Sequence, residues 1–279
     1  MTSHDVVNIV RKTIHSRKVG HTGTLDPDAT GVLVIAINEG TKVIPFLEEA
    51  AKVYSCQIVI GVSTTTEDAS GEIVNILLVE TLSTEQVDQA LKKLVGTHRQ
   101  TPPMYSAVKV DGKKLYEYAR QHIEIERPSK EVMIHEITRT SEIFFQNNTA
   151  IFSFIARVSK GTYIRTLCVE IGAALGFPAH MKDLVRTQSG VFTLDEAVSI
   201  EQLKAEKFTV IPILHALTHL PQIEVSDEIA GKIKDGMKLS EENLKTTEDQ
   251  VVLKNKQNEL LAIYERGDLK QYRAVRVWK

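Results

Sequence analysis

The sequence predicts an α+β fold: a mixed, mainly antiparallel sheet with helices packed on it, followed by a small β-rich C-terminal domain. Three observations predict it. Several stretches alternate apolar and polar residues, isolated segments of helical periodicity lie between them, and the character of the chain changes around Pro221. The expected division is residues 1–220 for the larger domain and 221–279 for the smaller.

The elements follow in order. "DVVNIVRKTI" places Val6, Val7, Val10 and Ile14 at helical spacing, with Thr2, Ser3 and Asp5 as candidate caps. The apolar run "VLVIAI" reads as a buried strand directly after the polar loop "GHTGTLDPDATG". In "VYSCQIVIG", Tyr54, Cys56, Ile58 and Ile60 share one face of a strand. "STEQVDQALKKLVG" opens with the capping-box spacing Ser83 to Gln86 and puts Val87, Leu91 and Leu94 on one side of a helix. "TPPMYSAVKVDGKKLYEYAR" is a proline-marked loop, a hairpin at Asp111-Gly112 and a short helix. "EVMIHEITRT" and "SEIFFQNNTAIFSFIARVS" are strands joined through Asn147-Asn148. "GTYIRTLCVEIGAALG" is a helix capped by Thr162 and ended by Gly176, with Ile164, Leu167, Ile171 and Leu175 as its buried stripe. Beyond Pro221 a small helix at "EIAGKIKDG" precedes three short strands in "VVLKNKQNELLAIYERGDLKQYRAVRVW".

Composition bounds the function. Apolar runs are far too short to span a bilayer, and no charged-then-apolar leader opens the sequence, so a soluble cytoplasmic protein is expected. Cys56 and Cys168 sit in apolar-periodic segments and read as small buried hydrophobes in a reducing compartment. A net charge of -2 does not announce a polyanion partner, but its distribution is uneven. Arg11, Lys12, Arg17 and Lys18 precede the loop; Lys109, Lys113, Lys114 and Arg120 cluster mid-chain; Arg157, Lys160 and Arg165 follow. These either form a local polyanion-binding face or are simply solvated.

The chain has no phosphate-cradling glycine loop, dinucleotide fingerprint, nucleophile-elbow serine or Cys-x-x-Cys. His215 and His219 are spaced to share a helix face, but no third metal-ligand candidate stands near them. The loop at Gly20–Leu33 is the richest candidate. Asp26 precedes Pro27 and is pushed toward an extended backbone, while Gly20, Gly23 and Gly31 permit tight turning. His21, Thr22 and Thr24 supply hydrogen-bonding groups. Asp26 is either a carboxylate presented to a substrate or a turn residue bonding its own backbone.

"KVGHTGTLDPDATGVL", "GTK" at Gly40–Lys42, "KVYSC", "PPMYSAVKVDGKKLYEYAR" and "SKGTYIRTL" together resemble the TruB family of tRNA pseudouridine synthases, in family order over roughly residues 1 to 195. "IKDGMKL" and "LAIYE…AVRVW" are similar to the small β PUA domain that family carries. The resemblance implies isomerisation of uridine 55 in the T loop of tRNA: the N1–C1′ bond breaks and the base rejoins through C5. It also implies that no metal or cofactor takes part. By motif, Asp26 is the catalytic aspartate, Tyr54 the tyrosine stacked on the flipped base, and Arg165 the partner that holds Asp26 in place and ionised. His21 matches the histidine that fills the space the base vacates, and Lys42 a backbone or active-site contact. Thr24, Tyr163, Lys160 and Lys109 complete the candidate substrate contacts, while Asp28 is assigned to solvent.

The expected partner is the T-arm loop of tRNA, met by a monomer with no metal, membrane or obligate protein partner. Two readings from other classes stand beside it: a tRNA-binding or folding helper that works without turnover, and, more distantly, a metal-dependent hydrolase using His215 and His219. The sequence departs from the family pattern at its start. Members usually open with a strand and an "NKPxG"-like turn before "TSHDVV", which here begins at Thr2. Lacking them, a sheet edge would be uncovered and a lysine able to contact RNA removed. Asn38 stands where glycine is more usual.

Overall fold

The computed structural model describes residues 1–278, which divide into two compact units. The first comprises residue 1, residues 25–32 and residues 49–197; the second comprises residues 2–24, 33–48 and 198 onward.

The first unit is built on an eight-stranded sheet. Its main path runs Phe192–Thr193, Ala179–Ser189, Lys52–Ile60, Thr149–Val158, Lys130–Arg139 and Gly96–Gln100, every neighbouring pair antiparallel. Phe144–Gln146 adds to Thr149–Val158, and Thr30–Gly31 lies parallel to Val185 and Arg186, which makes the sheet mixed. Period-two alternation sets the burial. Ala150, Phe152, Phe154, Ala156 and Val158 are buried, whereas Ile155 between them is 41% exposed. Onto that face pack the helices Thr84–Lys93, through Val87 and Leu91, and Ile164–Leu175, through Leu167, Cys168 and Ile171. Both expected hairpins are present. Asp111-Gly112 and Asn147-Asn148 have positive φ at both positions, as two-residue hairpin turns require.

In the second unit, Val7 and Val10 of the helix Ser3–Thr13 pack on Val19 and Leu203. Thr2 and Asp5 form the capping box at that helix's start. Asn38 has φ 48°, the left-handed region, where glycine and asparagine sit at least strain, so asparagine is a conformationally mild replacement there. A five-stranded sheet runs Gln222–Glu224, Gln250–Lys254, Leu260–Arg266, Gln271–Val277 and Leu239–Ser240, around Val251, Leu253, Tyr264 and Tyr272. The three long strands match expectation. The two edge strands are only three and two residues long, too short to show a period.

Three local expectations are corrected. The run Val32–Ile37 is not one strand: only Ile35–Ile37 pairs, with Val19–His21, and Val32 belongs to the first unit. The helix after residue 162 is capped at Tyr163, not Thr162, whose hydroxyl donates to the Ser159 carbonyl instead. His215 and His219 do not share a helix, because that helix is Ile213–Ala216.

Candidate active site

Asp26 opens a turn in which the Ala29 N–H donates to its carbonyl, with Pro27 fixing the second position. The bland reading of Asp-Pro as a turn is therefore correct for the backbone. The carboxylate goes elsewhere. Arg165 Nε lies 3.0 Å from Asp26 Oδ2, and a terminal nitrogen of the same guanidinium lies 3.0 Å from Oδ1. This is a two-pronged pair between a side chain 5% exposed and one 32% exposed.

Two further guanidinium donors are occupied by the carbonyls of Thr66 at 3.2 Å and Tyr105 at 3.1 Å. Asp68 Oδ2 stands 3.9 Å from Nε, and its Oδ1 accepts from the Thr66 and Ser70 hydroxyls. Three separate segments thus fix one arginine. Its place in the first turn of Ile164–Leu175 is unfavourable for a cation by the helix dipole, and the carboxylates offset that. With the guanidinium locked, Asp26 has one preferred orientation while a third of it faces out.

The exit of the loop is clamped as firmly. Val32 N–H donates to the Arg186 carbonyl at 2.8 Å, and Arg186 Nε donates to the Val32 carbonyl at 2.7 Å. Gly31 has φ 101°, and a Cβ there would stand 2.2 Å from the Arg186 carbonyl oxygen, so only glycine fits. Gly31, Arg186 and Tyr54 form one row across three neighbouring strands. Tyr54 is half-buried against the core on the face that carries Cys56. Cys56 in turn meets Cys168 of the Arg165 helix, Sγ to Sγ 3.6 Å, both cysteines being free and buried. Tyr54 and the Arg165 helix therefore share one side of the sheet.

Tyr163 caps the same helix; burial pushes its phenol above the usual range, with the charges of Arg165 and Asp26 also acting on it. Lys160 is drawn to Glu49 at 2.7 Å. Lys109 is exposed on its hairpin, beside Lys113 over the Tyr118 ring and Lys114 and Arg120 over the Tyr116 ring. Asp28 is exposed.

The remaining predicted residues lie in the second unit. His21 Nδ1 accepts from the Gly23 N–H, and Thr24 is exposed. Lys42 pairs with Glu39 at 2.6 Å, donates to the Val277 carbonyl and lies 5.6 Å from the Trp278 ring centre.

Sequence reasoning missed Asp68, Glu67 and Gln100. Burial pushes the Glu67 carboxyl up, and it accepts from the Thr166 hydroxyl at 2.9 Å. The stretch "TTTEDASG" carries these acids without a spacing that distinguishes them from an ordinary polar turn.

Residues 11–164 match the TruB family pseudouridylate synthase N-terminal domain, and residues 165–211 match the tRNA pseudouridylate synthase B C-terminal domain. The chain belongs to the TruB family. It is 50% identical over 281 residues to tRNA pseudouridine synthase B of Bacillus pumilus, spanning 97% of this chain and 91% of that one. To the protein of the same name from Bacillus subtilis it is 45% identical over 274 residues, 95% of this chain and 89% of that one.

Among solved structures, one is a Cbf5-Nop10-Gar1 complex: TM-score 0.69 at 25% identity, covering all of this chain and 81% of that one. Another is an H/ACA RNP bound to a substrate RNA containing 2'-deoxyuridine, with TM-score 0.69 at 23% identity and coverage of 100% and 81%. The latter likeness shows the fold alone. Within this TruB chain, the fold is the mixed, mainly antiparallel α+β arrangement expected from its sequence. No helix among the described residues is long and apolar enough to cross a membrane.

Proposed function

We propose that this chain isomerises uridine 55 in the T loop of tRNA to pseudouridine, with Asp26 as the catalytic carboxylate. The observation that carries the reading is the two-pronged Asp26–Arg165 pair, held within a chain of the TruB family. Such a pair aims a carboxylate while leaving part of it accessible to a nucleoside. Asp26 acts at the sugar, by attacking C1′ or by taking a proton from it. The N1–C1′ bond breaks, the base turns, and C5 bonds to C1′ as Asp26 is released or returns the sugar proton; the C5 proton then leaves and N1 takes up a proton. Product and substrate have the same atoms, so no external reagent enters.

The reaction needs the base out of its stack, for which Tyr54 provides an aromatic face and His21 a filler for the vacated space. Loop RNA suits recognition by splayed bases. Lys109 with its basic and aromatic neighbours, Lys160, Tyr163, Thr24 and Lys42 are assigned to the RNA. Residues 1–220 form the catalytic domain in this reading and 221–279 a PUA-like RNA-binding domain. The protein acts as a monomer in the cytoplasm, without metal or protein partner.

The test is to incubate the chain with an unmodified tRNA transcript and map pseudouridine by carbodiimide adducts and reverse transcription. One new stop at position 55 is expected. Stops at other uridines instead, or none with tRNA bound, would overturn the assignment, and the second outcome would favour a binder without turnover.

A further inference from the structure

We propose that Gln100 is a positioning residue for the reaction, acting on Arg165 by capping its helix from another element. This rests on the assignment of Asp26 and Arg165 above.

An α-helix leaves its first backbone N–H groups without partners inside the helix. Among the described residues, other helices solve the problem locally: Thr2 and Asp5, Ser83 and Gln86, Ser199 and Gln202, and Ser240 and Asn243 form capping boxes. In a capping box, the third helical residue reaches back to the N–H of the cap. The helix Ile164–Leu175 has no such arrangement: its cap is Tyr163, which makes no side-chain cap bond. Its third residue, Thr166, donates its hydroxyl to Glu67.

Gln100 stands in for the missing partner. It ends the strand Gly96–Gln100, is 2% exposed, and accepts the Tyr163 N–H on Oε1 at 2.7 Å. That bond fixes which way the amide points, because only its oxygen can accept. Its nitrogen then donates to Glu170 Oε2 at 3.3 Å, on the same helix, where His98 Nε2 also lies 3.3 Å away.

One side chain therefore grips the helix at its start and about two turns on. The chain leaving Gln100 continues to the Tyr105 carbonyl, which accepts from Arg165. Displacing Gln100 disturbs both the helix that carries the guanidinium and the segment that bonds it.

The experiment compares the parent with Gln100→Glu, Glu170→Gln and the double exchange, measuring single-turnover isomerisation, tRNA affinity and the unfolding midpoint of each. Gln100→Glu keeps an acceptor for Tyr163 but sets a buried carboxylate against the half-buried Glu170 carboxylate, and is expected to slow turnover at least about tenfold. The double exchange restores one donor and one acceptor with their places swapped, and is expected to return the rate to within about threefold of the parent. Affinity for tRNA should stay within about twofold throughout, since the defect is in alignment.

A double exchange as slow as Gln100→Glu, Gln100→Glu itself at the parent rate, or a rate loss matched by lost affinity would overturn the proposal. If Gln100→Glu does not fold, the double exchange decides by the same threefold criterion. A parent chain that binds tRNA without turning it over overturns the reading of Asp26 itself, and the proposal with it.

Discussion

Arg165 grips Asp26 through two nitrogens, each 3.0 Å from a different carboxylate oxygen, while two backbone carbonyls take further donors of the same guanidinium. The two partners are not equivalent. Arg165 is nearly sealed from water; Asp26 is a third exposed.

That asymmetry predicts unequal effects on stability. Arg165→Met leaves Asp26 and Asp68 without their shared cation and should destabilise the chain by about 2–4 kcal/mol, the lower end reflecting Asp26's exposure. Asp26→Asn keeps the carbonyls and Asp68 around the guanidinium and should lose only about 1 kcal/mol. Urea unfolding of both variants checks the order, and an equal loss would contradict it.

The loop's exit predicts a second contrast. Gly31→Ala places a methyl group 2.2 Å from the Arg186 carbonyl oxygen at φ 101°, so the loop must move. A loss of more than about 2 kcal/mol is expected, with turnover reduced at least about tenfold. Gly112→Ala, at φ 83° with open space around it, carries only backbone strain of about 1–2 kcal/mol. Paired melting curves and rate measurements test this.

Glu67 makes stability depend on pH. Burial raises its folded pKa above the unfolded value, so the folded state holds that proton more tightly. Its favourable contribution is full below the unfolded pKa and is lost as pH rises through the raised folded value. Relative to Glu67→Gln, the parent should therefore become progressively less stable as pH rises from the ordinary carboxylate range towards neutrality. Unfolding midpoints across that range read the sign directly, and a difference moving the other way would contradict the assigned cause.

The lysines should differ in how they serve tRNA. Lys109 is exposed and makes no ion pair among the described residues, whereas Lys160 is paired with Glu49 and Lys42 with Glu39. Affinity should fall steeply with salt, and Lys109→Ala should lower the slope of log K against log salt by about one. Lys160→Ala and Lys42→Ala should each change it by less. Binding titrations at several salt concentrations distinguish the three.

Much of this was legible in the sequence. Alternation in the Tyr54 and Phe152 strands, the turn pairs Asp111-Gly112 and Asn147-Asn148, and the Ser83–Gln86 box are local signals, and the structure carries each. The meeting of Asp26 and Arg165 spans 139 residues and came from motif resemblance, because no local period encodes it. What escaped were partners supplied by backbone or by buried polar groups in plain surroundings. The carbonyls of Thr66 and Tyr105 have no side-chain signature, and Gln100 closes a short strand among polar neighbours. The misplaced cap at Thr162 has the same origin: a threonine at the expected offset bonds backward to Ser159, and the cap function passes to a distant glutamine.

The most direct test of the central claim is tritium release from tRNA labelled at C5 of uridine, for the parent and for Asp26→Asn. The account predicts release by the parent and none by the variant, with tRNA still bound by both. Release that persists in Asp26→Asn would remove Asp26 from the chemistry and contradict the account.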